Sequence, residues 1–131
     1  MPMYFKEHAT QSTRALQVWL ILIGKASNRQ MVTYGMLAKM LGYEGAGTLA
    51  HILGHIMHYC HENQLPPLTV LVVNQDTGLP GEGLVGADLN AGREAVFRFD
   101  WHSLVPPAPD ELAAAYERKS AYKENPIQSS L

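Results

Sequence analysis

The stretch between residues 33 and 67 constrains the fold of this chain more than any other part of its sequence. A short helical pattern ends at Gly42, as helices commonly do at a glycine. The glycine-rich turn 44–47 separates it from a longer helical pattern over about 48–63. Pro66-Pro67 prevents that second helix from continuing. Two helices joined by so short a turn are typical of a helix-turn-helix unit.

The elements around this unit follow the order expected of a winged helix-turn-helix domain. In chain order we expect a helix at 13–27, a brief strand at 31–33, a helix at 34–40 capped by Thr33, the long helix at 48–63, a strand at 68–73, a turn at 74–78 and an irregular arm or wing at 79–85. On the first helix of the unit, Leu37, Met40 and Leu41 are expected to face the core. The fold class is therefore α+β, with a winged helix-turn-helix core.

Two further helices are predicted after the wing, one over 88–99 and an alanine-rich one from Pro109 to about 123. The expected organisation of the chain follows from these patterns: an N-terminal lead-in at 1–11, a winged helix-turn-helix domain at 12–86, a C-terminal helical extension at 87–123 and a flexible tail at 124–131.

Charge and cysteine content exclude several classes of protein. Across 131 residues, 10 Lys and Arg stand against 12 Asp and Glu, so the net charge of -2 argues against a polycation that coats nucleic acid. The single cysteine, Cys60, excludes an internal disulfide framework. The apolar run Val18–Ile23 is far shorter than the roughly 20 residues of a membrane span. We therefore expect a cytoplasmic protein with no membrane association and no cofactor.

Three segments resemble one known family, over roughly residues 30–85. The stretch 32–42 reads VTYGMLAKMLG and resembles the Thr-Tyr-Gly stretch of the alkylguanine-DNA alkyltransferases and their non-enzymatic alkyltransferase-like relatives. The stretch 50–54, AHILG, resembles the Ala-Arg-Ala-Val-Gly that opens the recognition helix of that family. Val72-Val73-Asn74, with Gly78 beyond, resembles the strand and turn that follow its active-site motif.

The resemblance implies a winged helix-turn-helix that binds the DNA minor groove and flips a damaged base. Tyr34 would then contact the DNA backbone, and His51 aligns with the arginine that replaces the flipped base. The nucleophile motif Pro-Cys-His-Arg should fall near 67–71, where this chain reads PLTVL. Neither Leu68 nor Thr69, the two residues that align with the nucleophile, can accept an alkyl group as a thiolate does. We therefore expect no catalytic residue and no enzymatic activity.

The polar face of the long helix consists mainly of histidines. His51, His55, His58 and Glu62 lie within roughly 60° of one another around the helix axis. Three interpretations remain open: a solvated face with no role, contact with nucleic acid or another anionic partner through imidazole donors, or a Zn²⁺ or Ni²⁺ site that begins with the pair at positions 51 and 55. We predict no metal site, because one helix rarely supplies three ligands to one ion.

Two functions from different classes are consistent with this pattern. The first is a non-enzymatic protein that binds double-stranded DNA through a set of residues on the helix-turn-helix: Tyr34, Lys39, Thr48, His51, His55 and His58. Lys39 would contact a phosphate. The alternative is a protein-protein interaction module, a small regulatory or accessory protein, which uses the alanine-rich helix over 112–122 as a docking surface.

Overall fold

The computed structural model of the chain describes residues 1–80 and 89–119. Within these residues it contains five α-helices and one small sheet of two strands: α1 at Gln11–Ser27, β1 at Val32–Thr33, α2 at Tyr34–Leu41, α3 at Leu49–Glu62, β2 at Val72–Val73, α4 at Leu89–Arg98 and α5 at Pro109–Glu117. The α+β class is confirmed at this level. None of the helices in the described ranges has the length and apolar character that a membrane span requires.

The helix boundaries follow from local capping. The Thr10 hydroxyl caps α1 by accepting a hydrogen bond from the Thr13 backbone N–H, at 3.2 Å. The Thr33 hydroxyl caps α2 in the same way, accepting from the N–H of Met36 at 3.1 Å. Pro109 occupies the first turn of α5, where its missing N–H costs no hydrogen bond. The predicted starts of α1, α2 and α5 are thus correct to within two residues.

The first three helices end in the same way, with one residue in the left-handed region of backbone conformation. These residues are Arg29, Gly42 and Gln64, with φ of 54°, 82° and 57°. In each case the next N–H reaches back to a carbonyl five residues earlier, as in Leu65 to Cys60 at 2.9 Å. Only α2 uses the expected glycine for this turn.

The strands are shorter than the sequence predicts. β1 pairs with β2 in parallel, with Val32 opposite Val72 and Thr33 opposite Val73. The predicted strand over 68–73 is wrong for its first four residues, because Leu68–Leu71 form a 3-10 helix and only Val72–Val73 are extended. All six residues are buried, and a continuous apolar run of this length does not distinguish a strand from a buried helical turn.

One hydrophobic cluster joins the N-terminal and C-terminal helices. Trp19 of α1 packs edge-on against Tyr59 of α3 and against Trp101, with ring centroids 5.7 and 5.6 Å apart. Val96 of α4 and Leu112 of α5 are fully buried in the same cluster. The apolar residues of the predicted C-terminal extension therefore complete the core around α1 and α3.

Candidate nucleic-acid interface

The exposed residues among those predicted to contact DNA lie on α2 and at the start of α3. Tyr34, the first residue of α2, is half-buried and packs against the core, while Lys39 in its last turn is exposed. Leu37 and Leu41 are buried as expected, but Met40 is 44% exposed, so its predicted inward orientation is wrong. The solvent-exposed side of α2 therefore carries one cation, Lys39, and the exposed side chain of Met40.

The turn between the helices positions the start of α3. After Gly42 the chain forms a 3-10 helix at Ala46–Thr48 that contacts both α2 and α3. Thr48 and His51 are exposed. The Thr48 side chain forms no capping hydrogen bond with α3, so its hydroxyl is not used to close the helix. The start of α3 thus offers a hydroxyl and an imidazole at the surface.

The rest of α3 is an interior helix. Seven of its 14 residues are buried, and His55 is among them at 4% exposure. The expectation of an open polar face along the helix is wrong, because α5 packs against that face. His51 and His55 meet the side chain of Tyr116 from α5, and His58 is half-buried at the same ring. The structure therefore brings the three histidines together around a residue that the sequence analysis did not identify.

Gly54 makes this contact between α3 and α5 possible. A Cβ atom at Gly54 would lie 2.7 Å from Cε1 of Tyr116, closer than side-chain atoms approach one another. A glycine inside a helix costs about 1 kcal/mol relative to alanine. Such a residue usually has a packing reason, and Gly54 was the one sequence signal that another element lies against this face.

His55 is held neutral by its position. Its Nδ1 lies 2.6 Å from the backbone carbonyl of His51, and its ring stacks on Tyr116 with centroids 4.2 Å apart. Burial lowers the pKa of His55, and the charges of Lys119 and His51 lower it further, against the effect of the hydrogen bond to the carbonyl. The predicted contact of His55 with DNA would require a side chain that the structure places under α5.

Few cations of the described residues lie on or next to α2 and the start of α3. Lys39 is exposed, and Lys25 in the last turn of α1 is half-buried. Arg29 is paired with Glu94 of α4 at 2.6 Å and lies over the ring of Phe97. Arg29 already has a carboxylate partner and Lys25 is half-buried. Of these three cations, Lys39 is therefore the one best placed to contact a phosphate.

The two residues that align with the nucleophile of the alkyltransferases are not reactive groups. Leu68 and Thr69 are both buried in the 3-10 helix that precedes β2. Cys60 lies on α3 at 1% exposure, and burial raises the pKa of its thiol to about 12. A thiol with so high a pKa is not a nucleophile at neutral pH. Among residues 1–80 and 89–119, no three His, Cys, Asp or Glu side chains come together in a way that could hold a metal ion.

Comparisons with known proteins add no relative. The chain matches no protein-family model, and searches of curated proteins and of solved structures found no significant match.

Proposed function

We propose that this chain is a non-enzymatic DNA-binding protein, similar to the alkyltransferase-like proteins, that contacts double-stranded DNA through α2 and the start of α3. The observation that carries the proposal is the contrast along α3. Thr48, directly before α3, and His51 in its first turn are exposed, while most of the following residues are buried. In helix-turn-helix proteins the N-terminal residues of the second helix are the ones that contact base edges.

The surroundings of this turn support the same proposal. Tyr34 at the start of α2 is a half-buried amphipathic side chain, and Lys39 supplies an exposed positive charge on the same short helix. Tyrosine and lysine side chains contribute many of the contacts that proteins make with phosphate oxygens. Together these residues provide groups for the backbone and groups for the bases.

The turn after β2 supports a wing. The N–H of Asn74 donates to the carbonyl of Leu79 at 2.8 Å, and the N–H of Gly78 donates to the carbonyl of Asn74 at 2.8 Å. These bonds return the chain toward β2, as at the base of a β-hairpin. The predicted wing, 79–85, lies outside the described residues from position 81 onward.

Fluorescence anisotropy with labelled duplexes tests the proposal. One duplex is plain and one carries an alkylated guanine, each at about 50 and about 200 mM salt. We expect affinity to fall about three- to twelvefold between these salts, as one or two phosphate contacts require. His51→Ala or Tyr34→Ala should weaken binding about three- to tenfold. His61→Ala, at the other end of α3, is the matched control and should bind as the wild type does. Absence of binding to either duplex at low salt would refute the proposal.

A second candidate function is favoured by one specific observation. Met31, Met36 and Met40 are 43%, 53% and 44% exposed, and methionines are common at surfaces that bind protein partners. The docking surface expected on α5 is not supported, because Leu112 and Ala115 are used in the core and residues from 120 onward lie outside the described part. A protein partner that binds these exposed methionines would stay bound at about 0.5 M salt, whereas weakly held DNA would dissociate. Replacing Met36 and Met40 with serine would abolish binding of such a partner.

A further inference from the structure

Tyr116 of α5 connects His51 and His55 of α3. The His55 ring stacks on it with an interplanar angle of 11°, and the Lys119 ammonium lies 3.7 Å from the ring centroid. A stacked ring and an ammonium above the centroid cannot share one face, so Tyr116 is held between His55 and Lys119. Its hydroxyl lies 2.5 Å from Nδ1 of His51. These contacts leave Tyr116 little freedom to move away from His51.

The hydrogen bonds specify which nitrogen of each histidine carries the proton. His55 has Nδ1 at 2.6 Å from the carbonyl of His51, and a carbonyl only accepts, so Nδ1 of His55 is protonated. At His51 the partner of Nδ1 is the Tyr116 hydroxyl. A phenol is a better donor than acceptor, because its oxygen lone pair is delocalised into the ring, and the ammonium over that ring withdraws electron density further. Tyr116 therefore donates to a bare Nδ1.

We propose that Tyr116 is a positioning residue that holds neutral His51 as the Nε2–H tautomer, so that its ring presents a hydrogen-bond donor to an acceptor atom of DNA. His51 is exposed, and among the described residues its Nε2 makes no hydrogen bond. The acceptor is a phosphate oxygen or an acceptor atom on a base edge, since both take an N–H donor. The choice of DNA as the ligand rests on the proposed function, whereas the tautomer itself does not.

Nitrogen NMR of the free protein tests the tautomer without any DNA. In a long-range ¹H–¹⁵N spectrum at about pH 8, we expect His51 to show a protonated Nε2 and a bare Nδ1. His55 should show the opposite pattern. In Tyr116→Phe, His51 should become a mixture of both tautomers, while Tyr59→Phe on α3, the matched control, leaves it unchanged. A protonated Nδ1 at His51 in the wild type would overturn the proposal whatever the protein binds.

DNA affinity then tests what the donor does. Glutamine places an N–H near the Nε2 position of histidine, whereas asparagine places one near Nδ1. His51→Gln should therefore bind the plain duplex within about twofold of the wild type, and His51→Asn should bind about three- to tenfold more weakly. Tyr116→Phe should weaken binding in the same range, with Tyr59→Phe unchanged. Equal affinities of the wild type, Tyr116→Phe and His51→Asn would overturn the proposal.

Two arms of the same measurement distinguish the acceptor. A·T duplexes expose only acceptors in the minor groove, whereas G·C duplexes add the guanine amino group, which inosine lacks. A base acceptor in the minor groove predicts that the loss in His51→Asn is larger on A·T and I·C duplexes than on G·C, whereas a base acceptor in the major groove predicts equal losses on G·C and I·C and a different loss on A·T. A phosphate acceptor predicts the same loss on all three. If the wild type binds none of these duplexes, the proposed function and the role of the donor both fail, and the tautomer found by NMR stands on its own.

Discussion

At the scale of single residues, one glycine and one tyrosine decide how α3 meets α5. Gly54 lacks the Cβ that would collide with Cε1 of Tyr116, and Tyr116 is in turn confined by His55 and Lys119. A ring confined on both faces cannot easily rotate away from an added methyl group. The gain in helix propensity from alanine at this position is therefore outweighed by the loss of the packed ring.

We predict that Gly54→Ala lowers the free energy of unfolding by about 1–3 kcal/mol, as overpacking of a buried contact does. Gly24→Ala in α1 is the matched control, because a Cβ there meets nothing within 4 Å. The same substitution at Gly24 should raise the free energy of unfolding by about 0.5–1 kcal/mol through helix propensity. Urea unfolding of both variants measures these changes. A stabilising effect at Gly54 would show that Tyr116 does not occupy this site.

At the scale of secondary-structure elements, the contact between α5 and α3 combines polar groups with apolar packing. Arg118, directly after α5, forms a bidentate pair with Glu62 of α3, at 2.6–3.0 Å. Tyr116 of α5 stacks on His55 and also contacts His58. The charges that act on His55 are those of His51 on its own helix and of Lys119, two residues after the end of α5, on the far face of the Tyr116 ring. No carboxylate is among these described groups, so protonation of His55 would add a buried positive charge that Lys119 repels across the Tyr116 ring.

We predict that the free energy of unfolding falls in mild acid, because His55 is buried against α5. Burial lowers the pKa of His55 in the folded protein below the value of about 6.5 in the unfolded chain. The unfolded chain therefore binds a proton more readily, and stability that is present above about pH 6.5 is lost as the pH falls through the folded value. Urea unfolding between about pH 7 and pH 5 should show a steeper loss for the wild type than for His55→Gln. His8→Gln, at an exposed position, should keep the slope of the wild type, and equal slopes for wild type and His55→Gln would contradict the prediction.

At the scale of the whole molecule, α1 and α3 form the centre of one core, and the later elements cover it. Trp19 contacts both Tyr59 and Trp101, so α1 is tied to α3 and to the segment after α4. Leu112 inserts from α5 into the same cluster with no exposed surface. The folded state of α3, including the exposed turn at its start, therefore depends on the C-terminal helices.

We predict that Leu112→Ala lowers the free energy of unfolding by about 2–5 kcal/mol, because it leaves a cavity in the shared core. Leu20→Ala in α1 is the matched control, since Leu20 is 43% exposed and should cost less than about 1 kcal/mol. Chemical unfolding followed by both tryptophan fluorescence and circular dichroism measures the loss. A cost at Leu112 no greater than the cost at Leu20 would show that α5 is not part of the core.

Local rules were enough to predict most of the helices. Thr33 caps α2, Gly42 ends it and Pro109 opens α5, because each of these effects depends on a few adjacent residues. The same rules failed at 68–71, where burial made a 3-10 helix resemble a strand. Periodicity cannot resolve such a run, since every side chain in it is buried.

The candidate site was predicted only in part, because the sequence does not show which helix faces other elements cover. Thr48 and His51 lie at the exposed start of α3, a placement that follows from the turn and the helix pattern in the sequence alone. The burial of His55 and the role of Tyr116 depend on α5, which begins 54 residues after His55 in the chain (55 to 109). An amphipathic pattern shows which face of a helix is polar, but only tertiary packing decides whether water or another element covers that face.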